Sequence, residues 1–269
     1  MKPIFIPSYI KQYLNADWQN SDYKESVLKA YKSNLVKGKP EISIVIPAYN
    51  EEQNIVPTLA SLCNNKTSRS VEIIVVNNNS TDDTEKLVKA CGVNCFLEKT
   101  QGITPARNSG LAQATGFVIL NADADTIYPE DWIEEMTKPL FENKEVALTY
   151  GRFSFIPTAN TGRFVYYFYE MASDVTRFYN NFKKTKAVNV YGFNSGFRRL
   201  QGLEVDGFNH PAGTNEDGFL ALKLSEKGFG SIFRVKNPKA IVWTTDRRIQ
   251  IDGGISKAIA KRLKRVFNS

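Results

Sequence analysis

The sequence lacks the features of a protein that is stabilised by a structural metal or by disulfides, and of one that spans a membrane. Its three cysteines show no CxxC spacing and it has a single histidine, His210, so we expect neither a disulfide framework nor a zinc site. No apolar run approaches the roughly 18 residues that are needed to cross a bilayer. At 269 residues and 42% hydrophobic content the chain buries a core without such supports. We therefore expect a globular, cytoplasmic protein with reduced thiols.

Charge is unevenly distributed along the chain. The 35 Lys and Arg residues exceed the 28 Asp and Glu residues, which gives a net charge of +7. Residues 1–40 have a net charge of +4 and residues 246–269 one of +5, so residues 41–245 have a net charge of −2. Proteins that bind nucleic acid concentrate their basic residues on one surface, whereas here they lie at the two ends. No nucleic-acid partner is expected.

The order of apolar segments predicts an α/β fold. Short buried strands alternate with amphipathic segments, an order that favours a mixed, mostly parallel, Rossmann-like sheet with helices on both faces. One helix is predicted to begin at Thr104 as N-cap, with Pro105 at its first position. The others are predicted at about 51–63, 82–91 and 130–141. The predicted strands are Ile42–Ile46, Val71–Val76, Asn94–Leu97, Phe117–Leu120 and Val146–Tyr150.

The segment pattern predicts three parts. Residues 1–40 form an N-terminal helical extension, and residues 41–245 form one domain whose halves are 41–150 and 151–245. Residues 246–269 form a basic amphipathic C-terminal helix, which through 255–267 either contacts an anionic membrane surface or docks its apolar side on the domain. The aromatic run at 164–169 is expected in the core, the alternative being that it faces the same membrane surface.

Two carboxylates follow the strand at Phe117–Leu120. Asp123 and Asp125 lie two residues apart in the sequence Asn-Ala-Asp-Ala-Asp. Ligands of open parallel sheets bind at the carboxyl ends of the strands. Mg²⁺ and Mn²⁺ bind one or two protein carboxylates together with substrate phosphates. The loop is therefore a candidate metal site, although a solvated acidic turn has the same pattern.

A second acidic pair, Glu216 and Asp217, lies at the start of a predicted helix. A carboxylate at this position is stabilised by the helix dipole, which explains it without any function. It is equally suited to accept the proton of an attacking hydroxyl as a general base. Either acidic pair, taken alone, is weak evidence for a metal-binding or catalytic site.

Five motifs in a fixed order are more specific. They begin at Ser43, Val71, Ala106, Asn121 and Asn215, and they read SIVIPAYNEE, VEIIVVNNNSTDDT, ARNSGL, NADAD and NED. Together they resemble the inverting family 2 glycosyltransferases of the GT-A fold, over about residues 42–245. The resemblance implies a GT-A sheet, a nucleotide-sugar donor, and Mn²⁺ or Mg²⁺ as cofactor.

The resemblance implies donor-binding roles. Asn77 stands where the family usually has an Asp that accepts a hydrogen bond from uracil. UDP remains the favoured nucleotide, but an amide both accepts and donates, so Asn77 excludes guanine less well than an Asp would. Arg107 matches an Arg that reaches the base or the phosphates. Asp123 matches a contact to ribose or sugar, and with Asp125 it would hold the metal. Four further residues match the loop around the base and ribose: Pro47, Ala48, Tyr49 and Glu51.

The resemblance also implies the transfer chemistry. Asp217 matches the catalytic base and Glu216 lies beside it, orienting acceptor or donor. Asn194 is a candidate contact to the donor sugar, or a turn residue. Arg248, or its neighbour Arg247, is a candidate to close over the diphosphate.

The function implied is metal-dependent transfer of one sugar, with inversion, to a hydroxyl of a glycan or a lipid-linked glycan. The Gln-x-x-Arg-Trp motif of processive synthases is absent. One alternative is a catalytically inactive nucleotide-sugar-binding or scaffold protein, although Asp125 and Asp217 are both present. The other is a sugar-1-phosphate nucleotidyltransferase, which would need a Gly-rich loop with Lys where this chain has Pro47-Ala-Tyr-Asn.

Overall fold

A computed structural model describes residues 2–18, 20–159, 161–182 and 186–267, and of residues 178–182 and 261–267 it describes only the backbone. Its strands are β1 Ile42–Ala48, β2 Val71–Asn77, β3 Asn94–Leu97, β4 Val118–Asn121, β5 Thr126–Ile127, β6 Val146–Tyr150, β7 Phe153–Ile156, β8 Ser195–Arg198, β9 Ser231–Arg234 and β10 Val242–Thr245. Its helices are α1 Ser8–Asn15, α2 Ser21–Ala30, α3 Ile55–Cys63, α4 Thr84–Ala90, α5 Ile103–Gln113, α6 Trp132–Glu142, α7 Arg163–Phe182, α8 Arg199–Glu204, α9 Glu216–Glu226, α10 Arg247–Ile251 and α11 Gly254–Phe267.

The main sheet has seven strands in the order β3-β2-β1-β4-β8-β6-β9. Strand β8 is antiparallel to β4 and β6, and the other pairs are parallel. A second sheet has the order β5-β10-β7. This mixed, mostly parallel α/β architecture is the GT-A fold that the sequence predicts.

Both faces of the main sheet are buried, because side chains along a strand alternate between the two faces. Ile44 of β1 packs on one face with helices α3 and α6. Its neighbour Val45 packs on the other face with Leu111 of α5 and Leu220 of α9. Continuous apolar strands such as β1 therefore predict a sheet covered on both sides.

The N-terminal segment forms part of this core. Val27 and Leu35 are buried in the same cluster as Ile44, and the Tyr31 hydroxyl accepts from the Ile73 amide at 3.1 Å. Residues Tyr31–Leu35 continue α2 as a π-helical turn. The sequence did not predict α1, whose Ile10 packs on Trp243 and Ile127 of the second sheet.

Two helix starts differ from the prediction. Helix α3 begins at Ile55, not at about 51, because the backbone of Glu51 and Glu52 donates to Thr84 and Asp82 instead. Helix α5 has Gly102 as its N-cap, with φ of +139°, rather than Thr104. A positive φ at this position favours glycine.

The aromatic run at 164–169 lies in α7, and the prediction that it belongs to the core is wrong for part of it. Tyr166 is buried, but Phe164 and Phe168 are 60% and 56% exposed. Residues four apart lie on the same side of a helix, so Phe164 and Phe168 share the outer side and Tyr166 faces inward.

The C-terminal segment is helical, as predicted, but it is broken into α10 and α11 at Gly253 and Gly254, which have positive φ. The Gln250 side chain donates to the Tyr166 hydroxyl at 3.1 Å, so α10 lies against α7. The apolar and basic side chains predicted for the end of this helix, from Lys261 onward, lie outside the described side chains. Where the chain is described, every helix is too short or too polar to span a bilayer.

Candidate active site

Three polar loops meet at the carboxyl ends of β1, β2 and β4. Ala48 pairs with Asn77 across β1 and β2, and Val45 pairs with Asn121 across β1 and β4. The loop after β4 is held from two sides. Thr58 donates to the Ala124 carbonyl at 2.8 Å, and the Tyr128 hydroxyl accepts from the Asp123 amide at 2.9 Å. These bonds fix the backbone from which Asp123 and Asp125 project.

Arg107 connects the first acidic pair to the second. Its guanidinium, from α5, donates through Nη2 to Asp123 Oδ1 at 2.9 Å, and its Nε lies 3.6 Å from Asp217 Oδ1. The Arg107 side chain is 2% exposed and that of Asp217 is 10% exposed. Residues far apart in sequence thus form one buried group of alternating charge.

The carboxylates of this group resist ionisation. Burial raises the pKa of Asp217 to about 7; Arg107 opposes the shift, and Glu216 and Asp123 add to it. Burial also raises the pKa of Asp123 to about 6, against the opposing effect of Arg107. A carboxylate whose pKa lies near neutral pH is suited to accept a proton in a reaction.

The group has unused hydrogen-bonding capacity. Arg107 Nε and Nη1 and Asp217 Oδ1 are buried without a hydrogen-bond partner among the described residues. Buried polar atoms are rarely left unpaired, and exceptions favour a functional site. Gly192 covers the group on one side: a Cβ there would lie 2.4 Å from Arg107 Nη2 and 2.5 Å from Asp217 Oδ1. Only glycine fits at this position without displacing them.

A second ion-pair group includes Asp125. Arg247, at the start of α10, donates through both terminal nitrogens to the two Glu51 oxygens, and its Nη2 lies 3.4 Å from Asp125 Oδ2. The Thr245 hydroxyl donates to the same Asp125 oxygen at 2.6 Å. Burial raises the pKa of Glu51, although Arg247 and Asn54 oppose this shift.

Asp123 and Asp125 fit a hard divalent cation by their chemistry. Each uses one oxygen in the contacts described above, Oδ1 of Asp123 and Oδ2 of Asp125, and their side chains are 35% and 17% exposed. No cluster of three or more His, Cys, Asp or Glu side chains suited to a metal occurs among the described residues. Mg²⁺ and Mn²⁺ do not require one, because substrate phosphates and water complete their shells.

Asn194 and Asn77, two predicted ligand contacts, are occupied by structural bonds. Asn194 is buried; its Oδ1 accepts from Trp132 Nε1 and its Nδ2 donates to the Arg152 carbonyl, both at 2.8 Å. These bonds favour a structural role for Asn194 over the predicted contact to the donor sugar. Asn77 accepts from the Ser80 amide at 3.0 Å and donates to Glu85 at 3.2 Å, which makes it a turn residue as well.

The remaining predicted residues lie around the same edge. Pro47 and Ala48 end β1, Tyr49 beside them is 51% exposed, and Glu216 precedes Asp217 at the start of α9. Arg248 is exposed on α10, whereas Arg247 reaches the two carboxylates. Sequence reasoning missed Gly192, Tyr128 and Thr245, since nothing in their local sequence indicates contact with distant acids.

Comparison with known sequences identifies the family. The sequence model described as Glycosyl transferase family 2 matches residues 43–200, more than half of the chain. The chain belongs to this family. Glycosyltransferase GlyA of Streptococcus pneumoniae is 25% identical over 202 residues, which cover 70% of this chain and 29% of GlyA. The chain spans about half or less of the length of the curated relatives it matches.

Two solved glycosyltransferases share the GT-A fold. S. aureus TarS in complex with UDP-GlcNAc matches with a TM-score of 0.56 and 17% identity, over 76% of this chain and 58% of TarS. The mannosyltransferase PcManGT of Pyrobaculum calidifontis, in complex with GDP-Man and Mn²⁺, matches with a TM-score of 0.57 and 21% identity, over 87% of this chain and 67% of PcManGT.

Proposed function

We propose that this glycosyltransferase is a metal-dependent, inverting enzyme of the hexosyltransferase type. It would transfer one sugar from a nucleotide-diphosphate sugar to a hydroxyl of a glycan or a lipid-linked glycan. The observation that carries the proposal is the buried Asp217, whose pKa of about 7 and contact with Arg107 suit a general base. Residues 41–245 would form the transferase domain, with residues 41–150 holding the donor and 151–245 the acceptor.

Asp217 would remove the proton of the acceptor hydroxyl as its oxygen attacks the sugar carbon opposite the leaving diphosphate. Attack on that face inverts the anomeric centre, and no covalent intermediate on the protein is needed. Arg107 would keep Asp217 and Asp123 at a fixed spacing. Its buried Nε and Nη1 would reach the donor only after the guanidinium or the Gly192 segment that covers it moves. Glu216 would orient the acceptor hydroxyl from the adjacent position.

The donor would lie along the loop edge of β1, β2 and β4. The exposed Tyr49 would stack on the base, and Glu51 would contact the ribose after release from Arg247. Asn77 would offer its amide to the base only by leaving its turn. UDP is the favoured nucleotide, although the two structural neighbours are in complex with UDP-GlcNAc and GDP-Man respectively.

Mn²⁺ or Mg²⁺ would be held by Asp125 and Asp123, with phosphate and water as further ligands. When bound, the cation supplies positive charge that offsets the charge growing on the leaving diphosphate. PcManGT, with the same fold, is in complex with Mn²⁺. Because Arg247 contacts Asp125, its guanidinium and the cation would compete for this carboxylate in the absence of donor.

A cytoplasmic location at an anionic membrane surface is a further part of the proposal. The outer side of α7 exposes Phe164, Phe168, Met171 and Val175, and α10 packs on this helix. The basic α11 follows α10 directly. Apolar and basic groups in one region favour a lipid interface. The alternative, docking of α11 on the domain, predicts no affinity for anionic vesicles.

Incubation with a panel of nucleotide sugars tests the proposed activity. With Mn²⁺ we expect slow hydrolysis of one donor and binding of its nucleotide. A chain that binds a nucleotide sugar without hydrolysis or transfer would support the inactive scaffold instead. Formation of a nucleotide sugar from a sugar 1-phosphate and a nucleoside triphosphate would support the nucleotidyltransferase. Omitting the metal, or adding a chelator, provides the control for metal dependence.

A further inference from the structure

A buried cluster of excess positive charge lies under α7, apart from the three polar loops. Two carboxylates of α7, Glu170 and Asp174, are surrounded by cationic side chains from four segments of the chain, one of which is α7 itself. The cationic members are Lys2, Arg152, Arg163, Arg177 and Arg234. We call this group the Asp174 cluster. Among the described residues, the four arginines of the cluster outnumber its two carboxylates, so an excess of positive charge remains whatever the protonation state of Lys2.

Asp174 alone is shared by four of the cations. Its Oδ1 lies 2.9 Å from Arg234 and 3.0 Å from Arg177, and its Oδ2 lies 3.5 Å from Arg152 and 4.0 Å from Lys2. Lys2 lies 3.8 Å from Glu170, which leaves it without a close partner. Burial raises the pKa of Asp174, but the surrounding cations outweigh this effect and lower it.

Many donors of the cluster are unsatisfied. Lys2 Nζ, Arg152 Nε, Arg177 Nη2 and Arg234 Nε are buried without a hydrogen-bond partner in the described part of the chain. Lys2 is fully buried and Arg177 is 5% exposed. Burial lowers the pKa of Lys2 to about 7; Arg177 and Arg152 add to this shift, whereas Glu170 and Asp174 oppose it. An uncompensated charge of this kind is costly in a protein interior unless an anion accompanies it.

The cluster is open at one side. The side chains of Arg234, Asp174 and Arg152 are 20%, 19% and 14% exposed, whereas Lys2 behind them has no exposure. A phosphate group that reaches the cluster would therefore approach from the side of Arg234 and Arg152. Guanidinium groups bind phosphate through paired N–H donors, so their unpaired Nε atoms suit this ligand.

We propose that the Asp174 cluster is a binding site for a phosphate group. Two sources share this chemistry: free phosphate, and a phosphate carried by the sugar acceptor. The second source, a phosphate on the acceptor, rests on the proposed function, and the position of Arg177 supports it. Arg177 lies over the Tyr191 ring at 5.4 Å, and the next residue, Gly192, contacts Asp217. A phosphate in the cluster would thus lie close to the segment that covers the catalytic group.

Binding is tested on the donor-free full chain by the dependence of Tm on inorganic phosphate at pH 7, with chloride at matched ionic strength as the blank. We expect phosphate to raise Tm more than acetate does. In Arg234→Gln the apparent phosphate affinity is expected to fall about tenfold or more, because a charge-assisted hydrogen bond is lost. Arg69→Gln, which removes an ion pair with Glu41 elsewhere in the fold, should keep the wild-type response. Arg247→Gln separates the cluster from the loop edge, because a response that arose at the loop edge would be lost in it.

Asp174→Asn gives a result of opposite sign. Removing the carboxylate that repels the ligand should tighten phosphate binding, whereas a purely structural network would only lose stability. The proposal is overturned if phosphate acts no differently from chloride or acetate, if Arg234→Gln responds like wild type, or if Arg247→Gln abolishes the response. None of these measurements uses turnover, so their failure is distinct from failure of the proposed transferase activity.

An acceptor arm separates the two sources. Once a donor is identified, glycerol 3-phosphate and glycerol are compared as acceptor mimics at equal concentration. Faster donor consumption with the phosphorylated mimic, lost in Arg234→Gln, supports a phosphate on the acceptor. Inorganic phosphate binding without any such preference assigns the site to free phosphate.

Discussion

The Nε atom of Arg107 lies 3.6 Å from Oδ1 of Asp217, and in the part of the chain that the structure describes both atoms are buried without a hydrogen-bond partner. The same guanidinium is hydrogen-bonded to Asp123. Arg107 therefore fixes the spacing between the proposed base and the proposed metal ligand, while burial keeps the pKa of that base high.

The activity should depend on pH through Asp217. The pKa of about 7 predicts that kcat/KM rises about tenfold for each pH unit below 7 and levels off above about pH 8, because only the ionised carboxylate accepts a proton. The profile is measured from pH 5.5 to 8.5 at saturating metal. A flat profile over this range would mean that the group responsible has an ordinary aspartate pKa.

Replacement of Gly192 by Ala should damage the site without unfolding the protein. The new Cβ would lie 2.4 Å from Arg107 Nη2 and 2.5 Å from Asp217, so both side chains would have to move. We expect kcat to fall by about tenfold or more, as for other small misplacements of reacting groups. Gly162→Ala is the matched control, because a Cβ there meets nothing within 4 Å. Equal activity of both variants would remove Gly192 from the account.

Arg247 and Arg248 should differ sharply. Arg247→Gln frees Asp125 and Glu51, so the donor-free protein should bind Mn²⁺ more tightly, while KM for the donor should rise by about tenfold through loss of a phosphate contact. Arg248→Gln should leave both values near wild type, since its side chain is exposed beside the site. Calorimetry with Mn²⁺ and initial rates measure the two effects. The reverse pattern would return the role to Arg248.

Asn194→Ala should affect stability rather than donor binding. The substitution removes the amide group that accepts from Trp132 Nε1 and donates to the Arg152 carbonyl. Both Trp132 Nε1 and the Arg152 carbonyl are then left unpaired. The expected loss is about 1–3 kcal/mol for each such group. Denaturant unfolding measures it, with KM for the donor determined on the same variant. A raised KM at unchanged stability would restore Asn194 to the sugar site.

Much of the fold could be predicted from the sequence because it follows from local patterns. The continuous β-branched residues of β1 and the strand at Val146–Tyr150 are where the apolar pattern puts them. Helix α7 was not predicted, because the aromatic residues on its exposed side obscure the helical periodicity of its apolar residues. The N-cap of α5 was not predicted either, because Gly102 owes its place to a positive φ, which composition does not reveal.

The candidate site could be predicted only as far as its motifs extend. Asp123, Asp125 and Asp217 follow strands or begin a helix, so their position along the chain indicates their place in the fold. Which of Arg247 and Arg248 reaches the two carboxylates depends on the direction of each side chain after β10. Two adjacent arginines in a sequence do not indicate this direction. The Asp174 cluster was not predictable at all, since Lys2, Arg152 and Arg234 meet only through tertiary packing.

The most direct test of the account is a comparison of Asp217→Asn with the wild type, using the donor identified by the panel. Asn has nearly the same shape but accepts no proton, so the variant should bind the donor with a similar Kd while kcat falls by about 10²–10⁴-fold. Turnover equal to wild type, with donor binding intact, would contradict the assignment of Asp217 as the base.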